Sequence, residues 1–417
     1  DLTSGYSNVL IGRDAGVNIT TAGNIIAIGT GALDAATTTG FVDGATAIGT
    51  NAATNVTGAT QTTAVGYRAL ENNVTGAYST AVGYDAGKTS MNSANTSIGA
   101  SAGQYLGDGT NNVAIGYQAL SGTTFTDATQ AGAIGSGTTI TMDGANADIL
   151  VGMVVTGSGI APGSKVATVA SSSANPQVFV LNQAVASSVA GGTTLTFYQN
   201  QGDYNIAIGN NTLDAVTSGS SNIAIGYSAG SAMTEGQSNI AIGFGALDAA
   251  NGVGSGAEAY NVAIGQNAMG AETTGAQYCT AVGYNALLSQ NADVKNTAIG
   301  GLAGDAIDDG DQNTLVGYQA GSAISGGDAN TAIGHGAYGS GTGSANVAIG
   351  SYAIQGAAAS GNDNVVVGYN AGNDLTDGPG NVLIGKSAGA AMTTGDYNLA
   401  IGMNAALAMV GDSNYNT

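Results

Sequence analysis

The side chains able to do chemistry are few, and their spacing argues against catalysis. His335 is the only histidine among 417 residues. One imidazole excludes a His-based metal cluster, a Ser–His–Asp triad and a His acid–base pair. Cys279 is the only cysteine, so no intramolecular disulfide can form, and as a nucleophile it would need that one distant histidine as its base. Two acidic groups, Asp305, Asp308, Asp309 and Asp311, and Asp374 with Asp377, carry oxygens able to hold calcium at a loop. They lack EF-hand spacing and the calcium-binding nonapeptide. Solvated turns are therefore the first reading and loop-bound calcium the second; no other cofactor is expected. Tyr67, Tyr84, Tyr117, Tyr227, Tyr284, Tyr318 and Tyr369 form a recurrent set that could pack between molecules or present a surface to glycans. Asn18, Asn55, Asn73 and Asn95 begin Asn-x-Ser/Thr sequons, relevant in a host that glycosylates asparagine.

These residues sit in a tandem repeat. The block Asn-x-Ala-Ile-Gly-Tyr-x-Ala returns along the chain, and its glycine serves as anchor. The anchors are Gly12, Gly29, Gly49, Gly66, Gly83, Gly99 and Gly116, then Gly209, Gly226, Gly243, Gly265, Gly283, Gly300, Gly317, Gly334, Gly350, Gly368, Gly385 and Gly402. Eleven of the 17 intervals within these two blocks equal 17 residues, which chance does not produce. The residue before the anchor is Ile or Val in all nineteen copies, among them Ile11, Ile28, Ile115, Ile208, Ile225, Ile264, Ile299, Ile349 and Ile401. An unvarying β-branched residue predicts a strand position that faces a packed interior. Three residues after the anchor stands Ala in eighteen copies, with Thr212 the exception. Such a slot implies close approach of another backbone.

Four residues before the anchor stands Asn in fourteen copies, including Asn112, Asn205, Asn222, Asn239, Asn313, Asn330 and Asn398. Stacked asparagines predict a ladder in which each amide bonds its neighbours above and below. Ile25, Ala45, Thr62, Ser79 and Cys279 interrupt it. The tyrosine stripe directly follows the anchor, in a slot that also takes Arg13, Asn210, Gln266, His335 and Lys386. It is expected to face solvent or a neighbouring subunit. Apolar runs are short and bounded by Gly and Asn, and no segment keeps a 3.6-residue period.

Composition agrees. Seventy glycines with only three prolines, without a Gly-X-Y period, exclude collagen, and 43% hydrophobic residues argue against disorder. A net charge of −21 repels phosphate, which disfavours nucleic acid and acidic membranes. No apolar run is long enough for a membrane-spanning helix. The chain is expected to be all-β, a parallel β-solenoid of about nineteen 17-residue coils. At about 4.8 Å per coil these would make a rod on the order of 90 Å long.

The block Asn112 to Ala119 resembles the head repeats of YadA-like trimeric autotransporter adhesins and the glycine-rich repeats of phage tail fibres. The resemblance implies a left-handed parallel β-roll, often trimeric, with adhesive or fibre-forming roles. The period here is longer than the adhesin's, and the sequence through Thr417 includes no coiled-coil stalk or membrane barrel.

Residues 122–201 break the repeat, dividing the chain into solenoid 1–121, insert 122–201 and solenoid 202–417. Alternating runs at Thr138–Met142, Met153–Thr156, Lys165–Val169, Val178–Leu181 and Thr194–Tyr198, with Pro162 and Pro176, predict a small antiparallel β-domain that projects sideways. Asp1–Ser7 reads as the end of a coil and Asn414–Thr417 as the start of a twentieth; the missing initiator Met suggests a processed chain or a fragment. Open coil ends are strand edges that invite head-to-tail stacking. The leading expectation is a non-enzymatic structural protein of an extracellular, cell-surface or virion fibre, homo-oligomeric as a trimer or a head-to-tail filament. The second is an adhesin or receptor-binding module for surface glycans, and the third a solenoid enzyme such as a polysaccharide lyase.

Overall fold

The computed structural model describes residues 5–34, 42–122, 124–129, 137–142, 149, 153–161, 164–169, 178–185, 189, 193–198, 202–249, 259–271, 276–290, 295–356, 359–409, 414 and 416. Pro162, Pro176 and residues 1–4 of the expected opening half-coil lie outside them. Among the described residues there is no helix, and the fold is a parallel β-solenoid of about nineteen coils spaced about 17 residues apart. It divides into two compact units, Asp1–Ser221 and Asn222–Thr417.

Each coil contributes one three-residue strand just before its anchor glycine. In the first unit these run from Val9–Ile11 to Val113–Ile115 and resume at Ile206–Ile208. In the second they run from Ile223–Ile225 to Leu399–Ile401. Neighbouring coils pair parallel and in register, as in Thr297↔Thr314, Ala298↔Leu315 and Ile299↔Val316. The coil closes because its backbone turns through left-handed corners. Anchor glycines lie at φ between +126° and +142°, where a side chain is strained. A Cβ on Gly317 would lie 2.5 Å from the carbonyl oxygen of Gly334. Five residues before, two after and four after the anchor, even non-glycine residues adopt positive φ, as at Tyr278, Asn285 and Leu287.

The interior is narrower than the invariant Ile/Val slot suggested. Alternation along a strand points residues one and three before the anchor one way and the residue two before it the other. That middle residue faces inward: Ala27, Ala64, Ala114, Ala224 and Ala298 are fully buried. The Ile/Val slot faces outward. Ile11 is 57% exposed, Ile299 42% and Ile401 64%, Ile208 and Ile225 are exposed, and Ile28, Ile115, Ile264 and Ile349 are half-buried. In most coils this inward position is a methyl group, while Leu315, Val366 and Leu383 are equally buried in theirs. The alanine three after the anchor is buried, as expected, for instance Ala69 and Ala303. Beyond it the coils trade volume. Leu70, Leu213 and Leu287 fill the interior where the inward strand residue is Ala. Where that residue is Leu315 or Leu383, the position four after the anchor is Gly321 or Gly389, and a Cβ there would collide with the leucine.

The asparagine ladder forms, with backbone as its main partner. Each Oδ1 accepts the N–H of the next ladder residue, at 2.8–3.0 Å from Asn330 through Asn398 to Asn416. Many of the Nδ2 groups donate to a carbonyl further along, such as Gly327 O for Asn313 and Gly343 O for Asn330. Direct amide–amide bonds are added at Asn239–Asn222 and Asn398–Asn381. Burial makes this double use necessary, since each orphaned polar group would cost about 1–3 kcal/mol. Asn416 begins a twentieth rung.

The insert carries two three-stranded antiparallel sheets. Val154–Thr156, Thr194–Tyr198 and Thr124–Thr129 form one; Val166–Val169, Val178–Leu181 and Thr139–Thr141 form the other. The sequence-based runs match five of these strands and missed Thr124–Thr129. Both sheets share one core, with Phe179 and Phe197 edge to face at 5.4 Å. The solenoid passes this excursion without losing register: Val113 pairs Ile206, and the Asn205 N–H bonds Asn112 Oδ1 at 2.8 Å. One local cost is visible, an Asn112 Nδ2 buried without an acceptor.

Candidate functional site

Outward strand positions create an extensive regular surface in each unit. One residue before the anchor every coil presents Ile or Val; three before it stand Val, Ile, Leu or Thr. Thr46, Thr63, Thr80 and Thr96 occupy consecutive coils in the first unit, and Thr280, Thr297, Thr314 and Thr331 do so in the second. No outward strand position in any of the nineteen coils is charged. In the second unit eleven strands at about 4.8 Å, each about 10 Å long, make a face of roughly 500 Å². Apolar patches of about 300–600 Å² are the largest that monomers usually expose, and they are commonly functional.

Aromatic rows accompany this face. Tyr67, Tyr84, Tyr117, Tyr227, Tyr284, Tyr318 and Tyr369 are 43–53% exposed, as the slot after the anchor predicted. Some stack along the coils: Tyr67 on Tyr84 at 5.4 Å, Tyr227 on Phe244 at 5.3 Å, Tyr318 on His335 at 5.6 Å. His335 also meets the edge of Tyr352. Stacked rings occupy each other's faces, so these members offer edges and hydroxyls outward. A second row escaped the sequence reading: Tyr78, Tyr204, Tyr260, Tyr278 and Tyr397, five residues before their anchors and 53–64% exposed. Its signal was the spacing itself, obscured because Ser, Asn, Gln and Ala share the slot.

Two cations and two carboxylates cluster at one place in the first unit. Arg68 donates twice to Asp85, at 2.9 and 2.8 Å, and lies 5.0 Å above the Tyr67 ring. Lys88 approaches Glu71 and Asp85. The hydrogen bond to Asp85 raises the Arg68 pKa despite burial. Burial raises the Glu71 carboxyl, opposed by Lys88 and Arg68. This cluster clamps adjacent coils and leaves no uncompensated charge for a ligand.

The remaining candidates are dispersed. Cys279 is buried in its ladder slot, where its N–H donates to Asn261 Oδ1. Among the described residues no group of three or more His, Cys, Asp or Glu is placed to hold a metal ion. Asp308 and Asp309 are exposed, and Asp328 Oδ1 accepts the Asp311 N–H. Asn73 and Asn95 are buried, so those two sequons cannot accept a glycan in the folded chain; Asn18 is exposed. No helix among the described residues is long and apolar enough to cross a membrane.

A crevice of about 220 Å³ lies where the insert meets the coils of the first unit. Val74, Thr75, Met91 and Asn92 line it from the coils, and Lys165, Asn182 and Gln183 from the insert. The Lys165 ammonium pairs with Asp108 at its border. The insert thus touches the solenoid along these turns.

No protein-family model matches the chain, and no curated protein sequence matches it.

Proposed function

We propose that this chain is a non-enzymatic structural protein that builds a fibre outside the cytoplasm by packing copies side by side through their outward strand faces. The observation that carries this reading is the uncharged column of Ile and Val, repeated without exception in nineteen coils. Interior packing does not explain it, because these residues lie outside the core. Charged residues make up 8% of the chain, and an ordinary solvated face would include some. A second copy fits best, because its own face repeats at the same strand spacing of about 4.8 Å and is uncharged in the same way. The insert spares the face: it leaves the coil away from the strand, and the strands on either side remain paired in register. Flanking tyrosines supply the large amphipathic contacts typical of interface cores.

The experiment is sedimentation velocity on the full chain across a wide concentration range, beside Ile299→Lys and Ile333→Lys. Both positions are exposed in the single chain, so folding, followed by circular dichroism, should survive. Self-association should fall sharply, because each lysine would be desolvated in the packed face. A wild-type chain that stays monomeric throughout, or variants that associate equally well, would sink the proposal.

A further inference from the structure

We infer that the crevice between the insert and the coils binds a neutral saccharide unit. The insert rests on successive coil turns: Thr75, Asn92 and Asp108 each stand nine residues after their anchors Gly66, Gly83 and Gly99. These turns lie well along the coil from the strand, so the crevice stays open when strand faces pack together.

The lining sets the ligand class. The carboxylate of Asp108 cancels the single Lys165 cation. With a chain charge of −21, an anionic ligand gains little there. The polar groups are amides and a hydroxyl. Asn182 Oδ1 is held by the Lys165 N–H at 2.7 Å, which aims its Nδ2 donor elsewhere. Asn92 Nδ2 is committed to the Asp108 carbonyl at 2.6 Å, leaving its Oδ1 as an acceptor. Val74 and Met91 add an apolar wall. Fixed donors and acceptors beside a small apolar surface suit a polyhydroxylated ring, whose hydroxyls both give and accept and whose C–H face is apolar. The volume corresponds to about seven water molecules, enough for one pyranose and too little for a buried oligosaccharide.

Saturation-transfer difference NMR on the full chain, with glucose, galactose, mannose and N-acetylglucosamine as probes, tests the inference. At least one probe should give signals and a millimolar dissociation constant. Asn182→Ala removes an exposed side chain and should weaken binding about fivefold, the value of one hydrogen bond. Thr75→Tyr fills the crevice from the coil side and should abolish binding. Tyr318→Ala, on the aromatic row, should leave binding unchanged. Silence from all four probes overturns the inference. So does binding that survives both crevice variants, or binding lost only in Tyr318→Ala. None of these outcomes depends on self-association, which sedimentation reads separately.

Discussion

Asn313→Ala tests what holds one coil to the next. The side chain is 1% exposed. Its Oδ1 accepts the Asn330 N–H at 2.8 Å, and its Nδ2 donates to the Gly327 carbonyl at 2.8 Å. Alanine leaves both partners buried and unmatched, at about 1–3 kcal/mol each, so the coil interface should lose about 4 kcal/mol. The bond into residue 313 survives, because Asn296 Oδ1 accepts its backbone N–H. The damage is therefore directional. In native-state hydrogen exchange the Asn330 amide should lose most of its protection. The Thr297 amide, which bonds the residue 313 carbonyl, should keep its own. Because coils contact mainly their neighbours, chemical denaturation should reveal an early local transition ahead of the main one. Ile25 marks the limit of the argument: an apolar residue occupies the same slot there, and the N–H it cannot accept, that of Ala45, turns to the Val42 carbonyl. If Asn313→Ala costs less than about 1 kcal/mol, the turn can rebuild itself as it does at Ala45. The ladder would then not be the device that joins the coils.

Other perturbations follow from the same geometry. Cys279→Asn supplies an Oδ1 towards the Asn296 rung and should raise the unfolding free energy by about 1 kcal/mol, read as a higher denaturation midpoint; a lower midpoint would mean that the slot cannot hold the amide. Gly317→Ala places a Cβ against the Gly334 carbonyl at a φ of +139°, and should cost more than about 3 kcal/mol in thermal or chemical unfolding. Burial holds the Glu71, Asp248 and Asp305 carboxyls above their ordinary range, so the folded chain binds protons at higher pH than the unfolded one. Their stabilising contribution is full below the ordinary carboxylate range and is lost as pH rises through the raised values. Calorimetry at low salt should therefore give a higher Tm at pH 5 than at pH 7, with relief of the −21 charge acting in the same direction. At the alkaline end, buried Tyr338 is pushed up to about 12, so stability should fall between pH 10 and that value as the unfolded phenol ionises first.

The coil was legible in the sequence because one glycine per turn has no substitute, and its recurrence fixes period, strand position and turn together. The facing of the strand was not. Ile at an unvarying position reads as core under the ordinary rule that large apolar residues go inside. Here the inner face is taken by the middle strand residue, usually alanine as at Ala27, Ala64 and Ala298 and a leucine only where a glycine such as Gly321 makes room, so the Ile/Val position points outward. The parity of the strand held the clue: Thr46, Thr63 and Thr80 share a face with Ile48, Val65 and Val82, and threonine rows suit an exterior. The asparagine ladder was predicted by spacing alone, whereas its use of backbone partners depends on where the next coil's N–H points. The crevice joins Asn92 to Asn182 across the insert, and no local pattern encodes that encounter.

The 93-residue gap closed by the Asn205–Asn112 bond also makes the solenoid a ruler. A module carried at that turn cannot slide, because its two ends are fixed by the rung before and the rung after. Its height along the axis is counted in whole coils of about 4.8 Å. Moving the same module to another turn would shift it by a set number of graduations, with the strand column beneath unchanged. Two different modules placed on one chain would be held at a separation written directly in the number of repeats between them.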